Sequence, residues 1–126
     1  MNIDDRLIYE DEVGKILNCA FEVSNFLGPG FAEKPYERAL CHEFELQGVN
    51  YSQQEKFSLI YKTVVVGEYI PDLVVFNKII VEIKSIDRIT EVERAQVLNY
   101  LNVTGYNVGL LLNFRHSKLE WKKYVL

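Results

Sequence analysis

Apolar residues recur at helical spacing in the first part of the chain. Between Val13 and Leu27 they return every three or four positions, which predicts a first helix of about five turns. Gly28-Pro29-Gly30 should end this helix, because proline cannot continue a helix and glycine accepts a positive φ. A second apolar stripe predicts a helix from about Glu33 to Gln47, with Gly48 at its carboxyl end.

The middle of the chain changes to short runs rich in β-branched residues, which are typical of strands. Asn77-Lys78 separates the last two runs, so these two strands are predicted to form a hairpin. The predicted strands are Tyr51–Gln53, Phe57–Tyr61, Thr63–Val66, Glu68–Phe76 and Ile79–Lys84.

The last part of the chain predicts one more helix and two strands. Thr90 and Glu93 have the spacing of a capping box, so a third helix should begin there, run to about Leu101 and end at Gly105. The nearly continuous apolar run of residues 107–114 predicts a strand buried on both faces. Residues 121–126 predict a final edge strand. Together the elements predict an α/β fold in which one mixed sheet is flanked by helices.

Composition limits the class of protein. With 126 residues, of which 48% are hydrophobic, residues 1–126 are expected to form a single domain with a substantial core. No apolar run approaches the length of a bilayer span, and the first residues are acidic where a signal peptide would be basic. We therefore expect a cytoplasmic protein with no membrane partner. Cys19 and Cys41 fall at apolar helix positions, which favours buried free thiols over a disulfide or a metal pair.

Charge is spread unevenly along the chain. The net charge is −4, and residues 1–50 contain ten acidic and four basic side chains. This acidic half argues against broad electrostatic affinity for nucleic acid. A localised site in the second half stays compatible with the composition, because a bound cation would offset its carboxylates.

The candidate chemistry lies in the segment PDLVVFNKIIVEIK, residues 71–84. Asp72 begins one apolar run, and Glu82 and Lys84 lie in the next. Because side chains alternate along a strand, Glu82 and Lys84 point to the same face. An uncompensated charge that is buried among aliphatic side chains costs several kcal/mol. Removing one partner of a buried ion pair costs on the order of 3–5 kcal/mol. A divalent metal and a phosphate would compensate them; a structural ion-pair cluster is the alternative.

Two further groups have ordinary explanations when each is taken alone. Glu33 lies in the first turn of the second helix, where the helix dipole favours any carboxylate. Gln96 and Tyr100 are four residues apart and so share one face of the third helix, as many half-buried polar pairs do.

Taken together and in order, these motifs resemble the PD-(D/E)XK nuclease superfamily. More closely, the chain is similar to small stand-alone proteins named for a GxxExxY signature, which is present here as Gly30, Glu33 and Tyr36. The resemblance extends from about Val13 to the carboxyl terminus and includes the glycine turn at residues 27–30 and the GLLLNF strand. It implies a restriction-endonuclease-like fold and metal-dependent hydrolysis of phosphodiester bonds in nucleic acid, DNA more than RNA.

The resemblance also implies a role for each signature residue. Asp72, Glu82 and the backbone carbonyl of Ile83 would offer hard oxygen ligands to Mg²⁺ or Mn²⁺. Lys84 would hold the attacking water and stabilise charge on the phosphate. Glu33 would bind a metal-bound water or a second metal. The remaining two signature side chains, Gln96 and Tyr100, would orient Lys84 or the water and brace the third helix.

Two alternatives remain open at the level of sequence. The same scaffold suits a catalytically silent module that binds nucleic acid or another partner, and it also suits a subunit of a larger repair or defence complex. A homodimer is equally compatible. No element for recognising particular bases is visible in the sequence.

Overall fold

The computed structural model of the protein describes residues 4–126, which form three helices and seven strands. After a short 3₁₀ turn at Asp5–Leu7, the helices are α1 (Glu10–Leu27), α2 (Glu33–Gln47) and α3 (Glu91–Thr104). The strands are β1 (Tyr51–Gln53), β2 (Phe57–Tyr61), β3 (Val64–Tyr69), β4 (Leu73–Val75), β5 (Ile79–Lys84), β6 (Val108–Asn113) and β7 (Glu120–Val125).

Five of these strands form one mixed sheet in the order β1-β4-β5-β6-β7. Strands β5 and β6 are parallel and connected through α3, whereas every other neighbouring pair is antiparallel. Strands β2 and β3 form a separate two-stranded sheet. The α/β fold with a mixed sheet flanked by helices, consistent with a restriction-endonuclease-like domain, is therefore confirmed.

Helices cover both faces of the five-stranded sheet. Buried residues of α1 and α2 pack with alternate sheet residues, including Val81 and Ile83, in the larger core cluster. Ile80 points to the opposite face and packs with Val97 and Leu101 of α3. Since Glu82 and Lys84 share the face of Ile80, strand alternation turns both toward α3.

The capping-box prediction for α3 is confirmed. The Thr90 hydroxyl accepts a hydrogen bond from the Val92 backbone, and the Glu93 carboxylate accepts one from the Thr90 backbone at 2.8 Å. The helix continues to Thr104, beyond the expected end at about Leu101, and ends at Gly105, whose φ is +77°.

Two strand boundaries differ from the sequence prediction. Strand β3 continues through Gly67 to Tyr69, so the predicted division at Gly67 is wrong. The chain breaks instead at Pro71, because proline has no N–H to donate to a strand ladder. The β4–β5 loop also begins one residue earlier than predicted: it comprises residues 76–78, and Phe76 and Asn77 have φ values of +56° and +57°. Val75 is paired with Ile79, so the loop has three residues, and within it the Lys78 backbone N–H donates to the Val75 carbonyl at 3.2 Å.

The two cysteines, Cys19 and Cys41, are both buried and free, as predicted. Among the helices that the structure describes, none has the length and apolar character required to cross a membrane.

Candidate active site

The candidate site is centred on a pair of carboxyl groups at the start of β4 and in the middle of β5. The Asp72 backbone N–H donates to Glu82 Oε1 at 2.9 Å, and the Ile83 backbone N–H donates to Asp72 Oδ2 at 2.8 Å. Leu73 is paired with Val81, so extending this antiparallel register by one residue places Asp72 directly opposite Glu82. Sequence and fold thus bring the two carboxyl groups together across the hairpin.

Burial makes this pair electrostatically unfavourable when both groups are ionised. Glu82 is only 3% exposed. Burial, followed by the charge of Asp72, raises its pKa from the ordinary 4.5 to about 8. Burial likewise raises the pKa of Asp72, against the hydrogen bond from the Ile83 backbone, which lowers it. The pair therefore favours a proton or another cation between its two members.

Ile83 contributes its backbone to the site. Its side chain is buried in the α1–α2 side of the core, while its N–H points to Asp72. On an extended strand the N–H and C=O of one residue point to the same neighbouring strand, so the Ile83 carbonyl also points toward β4. Two carboxylates and a carbonyl oxygen are the donor set that hard divalent cations such as Mg²⁺ and Mn²⁺ prefer.

Lys84 is the last residue of β5 and is half-buried. Its charge lowers the pKa values of both Asp72 and Glu82, which places the ammonium group in their vicinity. Yet none of the ion pairs found among residues 4–126 includes Lys84. The ammonium group therefore affects both carboxyl groups electrostatically but forms a direct ion pair with neither of them.

The glycine turn before α2 is held by Tyr36. Its fully buried ring stacks on Phe114 with 4.7 Å between centroids. Its hydroxyl donates to the Gly28 carbonyl at 2.6 Å and accepts from the Phe31 backbone at 3.3 Å. Gly30 has a φ of +110°, a conformation that side-chain-bearing residues rarely adopt. Gly30 and Tyr36 therefore fix the turn that places Glu33 at the start of α2.

Glu33 reaches the end of β5 from the other side of the sheet. Its Oε2 accepts a hydrogen bond from the Ser85 backbone at 3.2 Å, one residue beyond Lys84. Within residues 4–126, no three His, Cys, Asp or Glu side chains converge closely enough to hold a metal together. The structure thus brings Asp72 and Glu82 together and leaves Glu33 apart, because α2 packs on the sheet face opposite to α3.

Gln96 and Tyr100 lie on the α3 face near the carboxyl pair. Burial, followed by the charge of Glu82, raises the pKa of Tyr100, whereas hydrogen bonding by Gln96 lowers it. The Tyr100 hydroxyl donates to the Ile70 carbonyl at 3.5 Å, which connects α3 to the segment just before Asp72. Gln96 and Tyr100 also line a cavity of about 300 Å³ together with Tyr69 and Asn99.

Glu37, which no sequence motif indicated, is 3% exposed and lies one turn after Glu33 on α2. Its Oε2 accepts hydrogen bonds from the side chains of Gln53 at 2.8 Å and Gln54 at 3.4 Å. The Gln54 backbone in turn donates to the Asp72 carbonyl at 3.1 Å. The negative charge of Glu37 contributes to the raised pKa of Asp72. The sequence around Glu37 does not indicate that it is buried, because a single glutamate on a helix is usually exposed to solvent.

Arg115 was missed as well. It follows the end of β6 and, with Glu33, Phe31 and Ser85, lines an open cavity of about 520 Å³. The carboxyl ends of parallel strands lie at the same edge of a sheet, so the β5–β6 pairing places Arg115 near the end of β5. A prediction that β5 and β6 are parallel would have found it. Among residues 4–126, the one ion pair of this guanidinium is a long contact at the surface, 3.6 Å to Asp87.

Comparison with known proteins agrees with this geometry. A sequence model of the PD-(D/E)XK nuclease superfamily matches residues 10–124. No curated protein and no solved structure matches the chain significantly. The family match runs from the start of α1 to Tyr124 in β7 and includes every signature residue discussed above, so the chain belongs to the PD-(D/E)XK nuclease superfamily.

Proposed function

We propose that this member of the PD-(D/E)XK nuclease superfamily is a metal-dependent phosphodiesterase of the GxxExxY type. Its substrate is nucleic acid, DNA more than RNA, and residues 1–126 act as one domain. The observation that carries the proposal is the buried Asp72–Glu82 pair: burial raises the pKa values of both groups, and the charge of Asp72 raises that of Glu82 further. Such perturbed groups are concentrated at functional sites.

The residues present fit a divalent cation. Asp72, Glu82 and the carbonyl of Ile83 would hold Mg²⁺ or Mn²⁺, and Glu33 would contact a water bound to the same ion or to a second one. When bound, the ion supplies positive charge for the phosphate and makes a bound water more acidic. The raised pKa values support this assignment, since a bound cation would offset the burial of both carboxylates and the charge of Asp72 that raises the pKa of Glu82.

The other side chains have roles that follow from their positions. Lys84 points to the same face as Glu82 and has no ion-pair partner among the described residues. It is therefore available to donate hydrogen bonds to the attacking water and to a phosphate oxygen. Gln96 orients the Lys84 side chain or the water. Tyr100 braces α3 against the segment that carries Asp72 through its bond to the Ile70 carbonyl.

A catalytically silent binding module is the second candidate. One observation favours it: the Glu33 carboxylate bonds to the Ser85 backbone and does not join the Asp72–Glu82 pair. In that case the site would bind a cation or a nucleic-acid backbone without cleaving it.

Cleavage assays distinguish the two candidates. Purified protein is incubated with labelled single- and double-stranded DNA and RNA in Mg²⁺, in Mn²⁺ and in EDTA. We expect cleavage of at least one substrate with metal, none in EDTA, and a loss of about 10²–10³ in rate for Lys84→Ala.

The matched control is Lys118→Ala, which removes an exposed lysine from the β6–β7 loop and should leave the rate unchanged. No cleavage of any substrate by wild-type protein, with Mn²⁺ binding intact, would favour the silent module. A Lys84→Ala variant as active as wild type would refute the role given to Lys84.

A further inference from the structure

An open cavity lies beside the carboxyl end of β5, next to the candidate site. Its volume of about 520 Å³ is within the usual range of ligand sites, roughly 300–1,000 Å³. Glu33 connects the cavity to the site, because its carboxylate accepts a hydrogen bond from the Ser85 backbone, three residues after Glu82. This cavity, the Arg115 cavity, is lined by Gly30, Phe31, Ala32, Glu33, Ser85 and Arg115.

The backbone that carries Arg115 is held firmly at the edge of the sheet. The ladder between β5 and β6 continues one step beyond β6, since the Phe114 N–H donates to the Lys84 carbonyl at 2.9 Å. The fully buried Asn113 side chain then accepts hydrogen bonds from the N–H groups of Arg115 at 3.3 Å and Ile86 at 3.0 Å. It also donates to the Ile86 carbonyl at 2.8 Å. One buried carboxamide therefore fixes Arg115 relative to the segment that follows β5.

The Arg115 guanidinium is available to bind an anion. It is the one cationic group among the six lining residues. Its ion pair with Asp87 is 3.6 Å long, between side chains that are 48% and 92% exposed. A pair this exposed contributes little, and a phosphate can replace it with two parallel hydrogen bonds. The Glu33 carboxylate accepts the Ser85 N–H, which leaves the guanidinium side of the cavity for the anion.

Phe31 adds an exposed aromatic ring on a fixed backbone. Its N–H donates to the Tyr36 hydroxyl at 3.3 Å, and its carbonyl accepts from the Ser85 hydroxyl at 3.3 Å. Its ring packs edge-to-face on Tyr36 with 5.9 Å between centroids, yet the residue is still 48% exposed. An exposed ring whose position is fixed can stack on a nucleobase, because every base presents a π-face.

We propose that the Arg115 cavity binds an unpaired nucleotide of the substrate strand, next to the phosphodiester that is cut. Arg115 binds the phosphate of this nucleotide, and Phe31 stacks on its base. The proposal rests on the proposed function, because it places this nucleotide relative to the Asp72–Glu82 pair. Three residues of extended chain separate Ser85 from Glu82, a span of about 10 Å, so the cavity suits a neighbouring nucleotide and not the reacting phosphate.

The cavity thereby specifies a class of substrate. A base that stacks on Phe31 has left the base stack of a duplex, so single strands and unpaired ends bind better than intact duplex. The charge of the chain agrees with this class. Recognition by one guanidinium and one ring does not need the broad basic surface with which proteins bind a duplex, and this chain has a net charge of −4.

The test measures binding in the absence of Mg²⁺ and Mn²⁺, in EDTA and in Ca²⁺. Fluorescence anisotropy follows a labelled single-stranded DNA of about 10 nucleotides and the matching duplex. Wild-type protein should bind the single strand at least about 10-fold more tightly than the duplex, because a duplex must first unpair the bound nucleotide. Arg115→Ala should weaken single-strand binding at least about 10-fold, and Phe31→Leu at least about 5-fold.

Two matched controls separate these contacts from general effects. Lys118→Ala removes an exposed cation from the same loop as Arg115 but not from the cavity. Phe31→Tyr keeps the aromatic ring. Both variants should bind the single strand as wild type does. A deoxynucleoside monophosphate should compete only weakly, since a free nucleotide lacks the neighbouring strand.

Each outcome decides the proposal. Wild-type protein that prefers the duplex, or that binds neither probe, overturns it. Unchanged binding by Arg115→Ala or Phe31→Leu also overturns it, and so does a loss in Lys118→Ala as large as in Arg115→Ala or a monophosphate that binds as tightly as the strand. If a variant does not fold, NMR resonances of the Arg115 guanidinium and the Phe31 ring in wild type replace it. They should shift on addition of the strand, and unmoved resonances would overturn the proposal.

Failure of this proposal is distinguishable from failure of the proposed hydrolysis. Single-strand binding that depends on Arg115, without cleavage in Mg²⁺ or Mn²⁺, would retain the cavity and remove the hydrolysis. Cleavage by Arg115→Ala with an unchanged KM would do the reverse. Where both proposals hold, Arg115→Ala should raise KM more than it lowers kcat, because it removes a contact to a nucleotide that does not react.

Discussion

Raising the pH should destabilise the metal-free protein through the Asp72–Glu82 pair. Folding raises the pKa of Glu82 from 4.5 to about 8, first by burial and then by the charge of Asp72. A carboxyl group whose pKa is raised by folding contributes its stability fully below pH 4.5 and loses it as the pH rises through about 8. Each pH unit in this window costs about 1.4 kcal/mol, so full ionisation costs on the order of 5 kcal/mol.

Metal should reverse this loss. A divalent cation bound to the pair replaces the proton, so stabilisation by Mn²⁺ should be small near pH 5 and should grow toward pH 8. Urea unfolding at about pH 5, 6, 7 and 8, in EDTA and in millimolar Mn²⁺, gives the free energy of unfolding under each condition.

Variants isolate the groups responsible. Glu82→Gln removes the titrating group, so the pH slope in EDTA should flatten relative to wild type. Asp72→Asn removes only the charge repulsion, so its slope should be intermediate and its stability in EDTA near pH 8 should exceed that of wild type. The control is Glu12→Gln: hydrogen bonding to Lys78 lowers the pKa of Glu12, so its effect falls at more acidic pH. Equal slopes for wild type and Glu82→Gln would refute the reasoning.

Three further predictions concern Glu37, Tyr36 and the pair of glycines Gly109 and Gly14. Glu37→Gln removes a negative charge near Asp72, so the pKa of Asp72 should fall. Mn²⁺ binding measured by calorimetry should then extend to lower pH. An unchanged pH dependence of Mn²⁺ binding would exclude an effect of Glu37 on Asp72. Tyr36→Phe should cost about 1–3 kcal/mol in urea unfolding, because the Gly28 carbonyl loses its donor. Gly109→Ala should cost about 1–3 kcal/mol, since a Cβ would lie 2.5 Å from Val97 Cγ1. Gly14→Ala, which meets nothing within 4 Å, should instead stabilise α1, and equal effects of the two alanines would contradict the packing argument.

Hydrophobic periodicity predicted most of the fold because long helices and buried strands carry strong patterns. The bounds of α2 and β5 follow from such patterns. The β3–β4 boundary was wrong because Gly67 was taken as a break, although a strand accommodates glycine more easily than it accommodates Pro71. The hairpin loop begins one residue earlier than predicted because Phe76 adopts a positive φ, which its side chain disfavours and the local sequence does not indicate.

The candidate site was predictable where it depends on strand alternation alone. The opposition of Asp72 and Glu82 across a hairpin follows from the segment itself. The separation of Glu33 does not, because it depends on which sheet face α2 covers, and this is a property of the whole topology. Glu37 and Arg115 were missed for the same reason, since their positions depend on tertiary structure. Glu37 is buried by packing, and Arg115 lies near the end of β5 because β5 and β6 are parallel.

The most direct test of a metal-dependent site is a crystal of the protein grown with Mn²⁺ and measured for anomalous scattering. We expect one strong anomalous peak between the Asp72 and Glu82 carboxylates, with the carbonyl oxygen of Ile83 within about 2.0–2.3 Å of the ion. A soaked crystal of Asp72→Asn should show this peak weakened or lost. A well-ordered wild-type crystal with no peak at the pair, or with Mn²⁺ bound only elsewhere, would contradict the central claim.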